Sequence, residues 1–215
     1  MLIIGAKGYA KEVVEVVKQL GATNNLSFYD DVSQDLPKLL FNQFPILRNT
    51  DEAKEYFKNI DNKFVLGVGN PKTRYELYKK FESIGGHITS ITAHSVEMGS
   101  YGLNIEIGVN IMQGTIITND VHIQMGSLIN LNCTIGHDVI IGKFCELSPG
   151  VHISGRVVLG DFCSVGTGAV VLPNIKIGKN CSIGAGAVVN KDLPDNSVAV
   201  GVPAKIIKQL ESFSE

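Results

Sequence analysis

Residues 135–150 read IGHDVIIGKFCELSPG, and four of them have side chains that could do chemistry: His137 beside Asp138, and Cys145 beside Glu146. An imidazole next to a carboxylate can serve as a general base, because histidine ordinarily titrates at about 6.5 and the carboxylate stabilises the imidazolium. A cysteine thiolate would instead be a nucleophile. Two further stretches could hold an anion or a base. GAKGYA (5–10) falls short of a full GxGxxG, but it follows an apolar run and opens a helical pattern, where free backbone N–H groups favour a phosphate. Lys7 would add charge to that cradle, with Gly8 and Tyr9 in the same turn; a tight turn with a solvated lysine is the plainer reading. Asp30 and Asp31 close the stretch LSFYDD and could accept hydrogen bonds from a base or ribose, as could any polar strand end. Asn70 and Arg74, after FVLGVG, are additional candidates.

The elements that must position these residues differ between the two halves of the chain. Stepping by six from Ile105 reaches Ile111, Ile117, Ile123, Ile129, Ile135, Ile141, Leu147, Ile153, Leu159, Val165, Val171, Ile177, Ile183 and Val189, all aliphatic. The fifth position of each hexad is small or aliphatic and never charged. A helix repeats every 3.6 residues and a strand every two, so a strict six means a chain that turns a corner in every hexad. First and fifth positions share the inward face of short strands, and the corner is expected at the second and third positions. Three strands make one triangular coil of a parallel β-helix, about five coils in all, stacked roughly 4.8 Å apart. Glycine at the second position (Gly136, Gly142, Gly160, Gly166, Gly178, Gly184) is expected to supply an unusual backbone conformation at that corner.

The register sorts the chemistry. Cys133, Cys145, Cys163 and Cys181 all fall at the inward fifth position, which makes them core filler instead of nucleophiles. His137 is a third-position residue and points outward, with Asn119 one coil below and Gly155 one coil above, where a glycine would let a ligand approach the backbone. His122 and His152 occupy sixth positions and read as surface histidines. They stand fifteen residues from His137 on either side, three short of a coil, so the three do not converge on a metal within one chain, and no metal is expected.

Before the repeat, LIIG (2–5), LSFYDD (26–31) and FVLGVG (64–69) read as strands, with helices after the first glycine turn, at 51–58 and at 71–83. Strand alternating with helix means a small parallel sheet with ligands at the carboxyl ends of its strands. The expected division is a Rossmann-like α/β domain at 1–88 followed by an all-β hexapeptide-repeat β-helix at 89–215 with a short tail. A formal charge of −2 and no basic run argue against nucleic acid or an anionic membrane surface as partner. The first apolar run is four residues long, too short for a signal peptide or a membrane span, and a cytoplasmic protein is expected.

The order GAKGYAK, YDD, GVGN, then a hexapeptide repeat carrying GHD and a final GVPAK resembles the NeuD/PglD-type sugar acetyltransferases, over nearly the whole chain. The resemblance implies a left-handed β-helix, a homotrimer with active sites between subunits, acetyl-CoA as co-substrate, and a nucleotide sugar on the N-terminal domain. It makes Lys7, Gly8, Tyr9, Asp30, Asp31 and Asn70 sugar-nucleotide contacts, His137 the general base and Asp138 its helper. Glu146, Gly155, Thr167 and Ala185 become coenzyme contacts. Glu146 stands where many members have histidine, and Lys7 and Tyr9 also depart from the usual turn. The activity implied is N-acetylation of a UDP-linked 4-amino-4,6-dideoxy sugar by direct attack, for bacterial surface glycan or glycoprotein biosynthesis; the alternatives are O-acetylation of sialic acid or another sugar and a non-catalytic trimeric nucleotide-sugar-binding scaffold.

Overall fold

The computed structural model describes residues 1–213; Ser214 and Glu215, the end of the expected tail, lie outside the described residues. The chain forms two compact units, one of residues 1–69 with 73–94 and the other of residues 70–72 with 95 onward.

In the first unit the elements are β1 (Leu2–Ile4), α1 (Gly8–Gln19), β2 (Ser27–Tyr29), β3 (Leu39–Leu40), β4 (Phe44–Leu47), α2 (Thr50–Asn59), β5 (Lys63–Leu66), α3 (Pro71–Glu82) and β6 (His87–Ile88). The sheet order is β3-β4-β2-β1-β5-β6, parallel except for the β3–β4 pair. The chain leaves β1 toward β2 on one side and returns to β5 on the other, so the crossover direction reverses beside β1, where open α/β sheets bind ligands. Helix α1 buries Ala10, Val13, Val14, Val16 and Val17 as one stripe. The β3–β4 hairpin has no signature in the sequence, because its turn places Phe41 (φ 52°) and Asn42 (φ 54°) in left-handed conformations without an Asn-Gly pair.

The second unit is a prism of two-residue strands pairing in parallel with a register of eighteen residues, as in Asn104↔His122↔Ile140↔Val158↔Lys176. Its first face runs from Glu97–Met98 to Val188–Val189 and its second from Asn104–Ile105 to Lys176–Ile177. The third includes Asn110–Ile111 through Ser197–Val200 and ends in the antiparallel strand Lys205–Gln209. First- and fifth-position side chains fill the interior as one apolar column, as expected.

Two expectations about the corners need correction. The turn falls at the third and fourth positions, one residue later than expected, and the fourth position carries the left-handed conformation: Asp120, Asn132, Asp138, Phe144, Arg156, Phe162, Asn174 and Asn180 have φ between 50° and 66°. The second-position glycines have no positive φ. Their role is space: a Cβ on Gly142 would lie 2.6 Å from the Asp161 amide nitrogen, and one on Gly166 2.6 Å from that of Ala185. Coils stacked at strand spacing leave no room for a side chain pointing along the prism axis at that position.

Candidate active site

His137 and Asp138 occupy the corner between the first and second faces. Asp138 sits in the left-handed fourth position (φ 58°), a conformation aspartate tolerates better than most residues, and this turns its carboxylate back toward its neighbour. His137 Nδ1 donates to Asp138 Oδ2 at 2.7 Å, since a carboxylate can only accept. In the neutral imidazole this leaves the lone pair on Nε2, the nitrogen able to take a proton. Both side chains are more than half exposed, at 57% and 54%.

The corner is stacked by backbone hydrogen bonds, Asp138 N–H to Asn119 O at 3.3 Å and Arg156 N–H to His137 O at 2.8 Å. Gly155 lies one coil above, as the register implies, and the imidazole is its neighbour. A Cβ there would fall 2.6 Å from His137 Nε2 and 2.7 Å from Cε1. The glycine makes room for the imidazole itself, which rests against it with Nε2 at that edge.

The remaining coenzyme candidates are elsewhere on the same chain. Thr167 and Ala185 are exposed and stack on each other at the corner between the third and first faces, where Gly186 N–H donates to Thr167 O at 2.8 Å. One prism face, six residues of chain or roughly 15–20 Å, separates that corner from His137. Glu146 is on the third face, with Oε1 accepting from Ser148 Oγ and Oε2 from Ser164 Oγ, each at 2.8 Å. Two hydroxyls therefore hold a carboxylate in the place of the histidine common in the resembling family. A single chain brings together His137, Asp138 and Gly155, and leaves Thr167, Ala185 and Glu146 apart from them.

The four cysteines are buried, free thiols. Each donates to a corner carbonyl of the next coil: Cys145 to Gly160 O at 3.1 Å, Cys163 to Gly178 O at 3.0 Å, Cys181 to Pro194 O at 3.2 Å and Cys133 to Ser148 O at 3.3 Å. Burial pushes the Cys133 thiol up to about 11 and that of Cys163 well above its usual range; the Cys163 hydrogen bond and then burial raise that of Cys181. All four thiols lie inside the prism, out of reach of a substrate on its surface. His122 pairs with Glu106 at 2.8 Å and His152 with Thr134 at 2.8 Å, each on its own face.

In the first unit the carboxyl ends of β1, β2 and β5 enclose a cavity of about 220 Å³, lined by Ile4, Gly5, Tyr29, Asp31, Val68 and Leu77 among others. Gly5 (φ 112°) is required there, because a Cβ would lie 2.9 Å from the Gly67 carbonyl oxygen. Lys7 precedes α1 in extended conformation without capping it through its side chain, and its Nζ pairs with Asp35 at 2.7 Å. Gly8 (φ 30°) opens the helix beside open space, with Tyr9 half-buried next to it.

The two aspartates have different duties. Asp30 folds back on its own turn, accepting from Val32 N–H, Ser33 N–H and Ser33 Oγ at 2.8–3.2 Å. Asp31 Oδ2 accepts from Tyr29 Oη and from Lys80 Nζ, both at 2.8 Å. Burial works against its charge, but the bonds from Lys80 and Tyr29 hold it below the usual carboxylate range. Asn70 is exposed and groups with the second unit instead of the cradle. Arg74 is fully buried, and its Nη1 donates to Val68 O at 2.8 Å and Leu66 O at 3.3 Å, pinning the end of β5. Lys80 escaped notice in the sequence because it lies forty-nine residues from its partner.

The PglD N-terminal domain family matches residues 1–81, and the bacterial transferase hexapeptide family (six repeats) matches residues 156–191. Solved structures that align with nearly the whole chain include the following. A histidine-to-asparagine variant of perosamine N-acetyltransferase from Caulobacter crescentus, in complex with CoA and GDP-perosamine, is 28% identical with a TM-score of 0.89, covering 97% of this chain and 96% of that one. The acetyltransferase domain of PglB from Neisseria gonorrhoeae FA1090, in complex with acetyl coenzyme A, is 26% identical with a TM-score of 0.80, covering 96% and 98%. WeeI from Acinetobacter baumannii AYE is 27% identical with a TM-score of 0.86, again covering 96% and 98%. With these matches the six-residue coil is that of a left-handed β-helix. No helix among the described residues is long and apolar enough to cross a membrane.

Proposed function

Because the chain belongs to the NeuD/PglD-type sugar acetyltransferases, we propose that it moves the acetyl group of acetyl-CoA to the amine of a nucleotide-linked amino sugar, with His137 as general base. The observation that carries this reading is the His137–Asp138 pair: Nδ1 committed to Asp138 at 2.7 Å and the ring seated on Gly155. The sugar amine attacks the thioester carbonyl, forming the C–N bond, and its proton passes to Nε2. Collapse of the tetrahedral intermediate breaks the C–S bond, and the thiolate leaves as CoA after taking up a proton. Asp138 stabilises the imidazolium between these steps. Since no cysteine is available, the transfer is direct, without an acyl-enzyme.

We assign the nucleotide to the first unit, with phosphates at the start of α1 near Lys7, Gly8 and Tyr9 and the nucleoside in the cavity beside Asp31. The separation of His137 from Thr167 and Ala185 by one prism face supports a homotrimer. A neighbouring subunit would bring its own third–first corner to this chain's His137, with the coenzyme between them. For the acceptor we propose a UDP-linked 4-amino-4,6-dideoxy sugar. The GDP-perosamine bound to the Caulobacter enzyme makes a GDP-linked amino sugar the second reading.

The test is a thiol-release assay with acetyl-CoA against UDP- and dTDP-amino sugars, GDP-perosamine and sialic acid. Turnover with one nucleotide-linked amine and none with sialic acid supports the proposal. Turnover with sialic acid alone would make the enzyme an O-acetyltransferase. No thiol release with any acceptor, together with no acetyl-CoA binding, would leave a scaffold.

A further inference from the structure

Lys80 meets two residues that line the cavity, Tyr29 and Asp31, with more order than a surface ion pair requires. Lys80 Nζ reaches Asp31 Oδ2 at 2.8 Å and Tyr29 Oη at 3.0 Å, and Tyr29 Oη donates to the same Oδ2 at 2.8 Å. The ammonium also lies 5.0 Å from the Tyr29 ring centroid and 5.6 Å from that of Phe81. Those rings pack edge to face at 4.8 Å, and both are buried. Lysine has a flexible stem whose position a single exposed contact does not define. Here two rings, a phenol and a carboxylate define it together.

We propose that Lys80 is a positioning residue for the nucleoside subsite: with Tyr29 it orients the Asp31 carboxylate to accept the ring N–H of a lactam or imide base. The inference rests on the reading above that this cavity takes the nucleoside. Both side-chain donors land on Oδ2, and Asp31 lines the cavity, so the carboxylate keeps acceptor capacity toward what the cavity holds. Asp30 cannot substitute, because its oxygens are occupied by its own turn. Uracil and thymine offer N3–H and guanine N1–H at the edge such an acceptor would read. Adenine N1 and cytosine N3 carry a lone pair there and would repel it. The neighbouring ammonium also keeps Asp31 ionised, which excludes the donor role a protonated carboxyl would have.

The experiment compares wild type with Lys80→Met and Lys80→Arg in steady-state acetyl transfer to the best nucleotide-linked amine, with calorimetric titration of UDP, GDP, ADP and CDP. The expected result for Lys80→Met is a KM for the nucleotide sugar raised about tenfold, with kcat and the acetyl-CoA KM within about twofold; Lys80→Arg should recover most of the loss. Wild type should bind UDP or GDP in preference to ADP and CDP. An unchanged nucleotide-sugar KM in Lys80→Met overturns the proposal, as does a rise in both KM values that accompanies a lowered Tm, which marks a merely structural lysine. If Lys80→Met does not fold, Asp31→Asn replaces it and should show the same selective rise; its absence again overturns the proposal. Wild type that binds none of the four nucleotides overturns the nucleoside reading itself, a separate outcome.

Discussion

Gly155→Ala separates the catalytic reading from every purely architectural one. Gly155 has no positive φ, so alanine fits its backbone conformation, and the added methyl meets the ring of His137 instead of the next coil. It would lie 2.6 Å from Nε2 and 2.7 Å from Cε1. Ordinary van der Waals contact begins at about 3.4–3.5 Å, so the imidazole must retreat by about 0.8 Å. The ring is half exposed and has room to move, which keeps the effect on stability below about 1 kcal/mol. A base displaced by nearly an ångström, with its bond to Asp138 bent, should lose about 10²-fold in kcat. The assay is thiol release at saturating acetyl-CoA, with thermal unfolding as control. Wild-type kcat in a folded Gly155→Ala protein would refute the argument that Nε2 works from the position seen against the glycine.

Further expectations concern packing, protonation and assembly. Gly142→Ala drives a methyl to 2.6 Å from the Asp161 amide nitrogen, where backbone must yield, and should cost about 1–3 kcal/mol in urea unfolding while sparing the site. With the Cys133 thiol raised to about 11 in the folded state, its stabilising contribution is complete below about pH 9 and is lost as pH rises toward 11. At about 1.4 kcal/mol per pKa unit, Cys133→Ala should flatten that alkaline limb by up to about 3 kcal/mol, measured as unfolding free energy against pH. Mixing refolded His137→Ala with Ala185→Trp, each inactive alone, should restore about a quarter of wild-type activity, because one subunit interface in four then carries both intact corners. No recovery would place the whole coenzyme site on one chain.

How much of this was legible in the sequence follows from the physics of each feature. The six-residue period was plain because inward positions tolerate only small and aliphatic side chains, and the same register correctly placed Cys145 inside and His137 outside. The left-handed fourth position was partly masked: Asp120, Asn132, Asp138, Asn174 and Asn180 fit it, but Phe144, Arg156 and Phe162 do not advertise it. The second-position glycines were attributed to backbone conformation, although their cause is the distance to the coil above, which no local pattern encodes. That the His137 ring, eighteen residues earlier in the chain, packs against Gly155 is visible only once the coils stack. Lys80 and the buried Arg74 act through strand ends that meet only after the sheet forms. The hairpin of β3 and β4 turns on Phe41 and Asn42; asparagine suits the left-handed conformation, but the phenylalanine before it does not advertise a turn.

The measurement that bears most directly on His137 as base is the turnover of His137→Ala with acetyl-CoA and the accepted nucleotide amino sugar, on protein confirmed to be folded and assembled like wild type. The reading predicts kcat lowered by about 10²–10⁴, the usual worth of a positioned general base, with both substrates still bound. Wild-type turnover in that variant would contradict it.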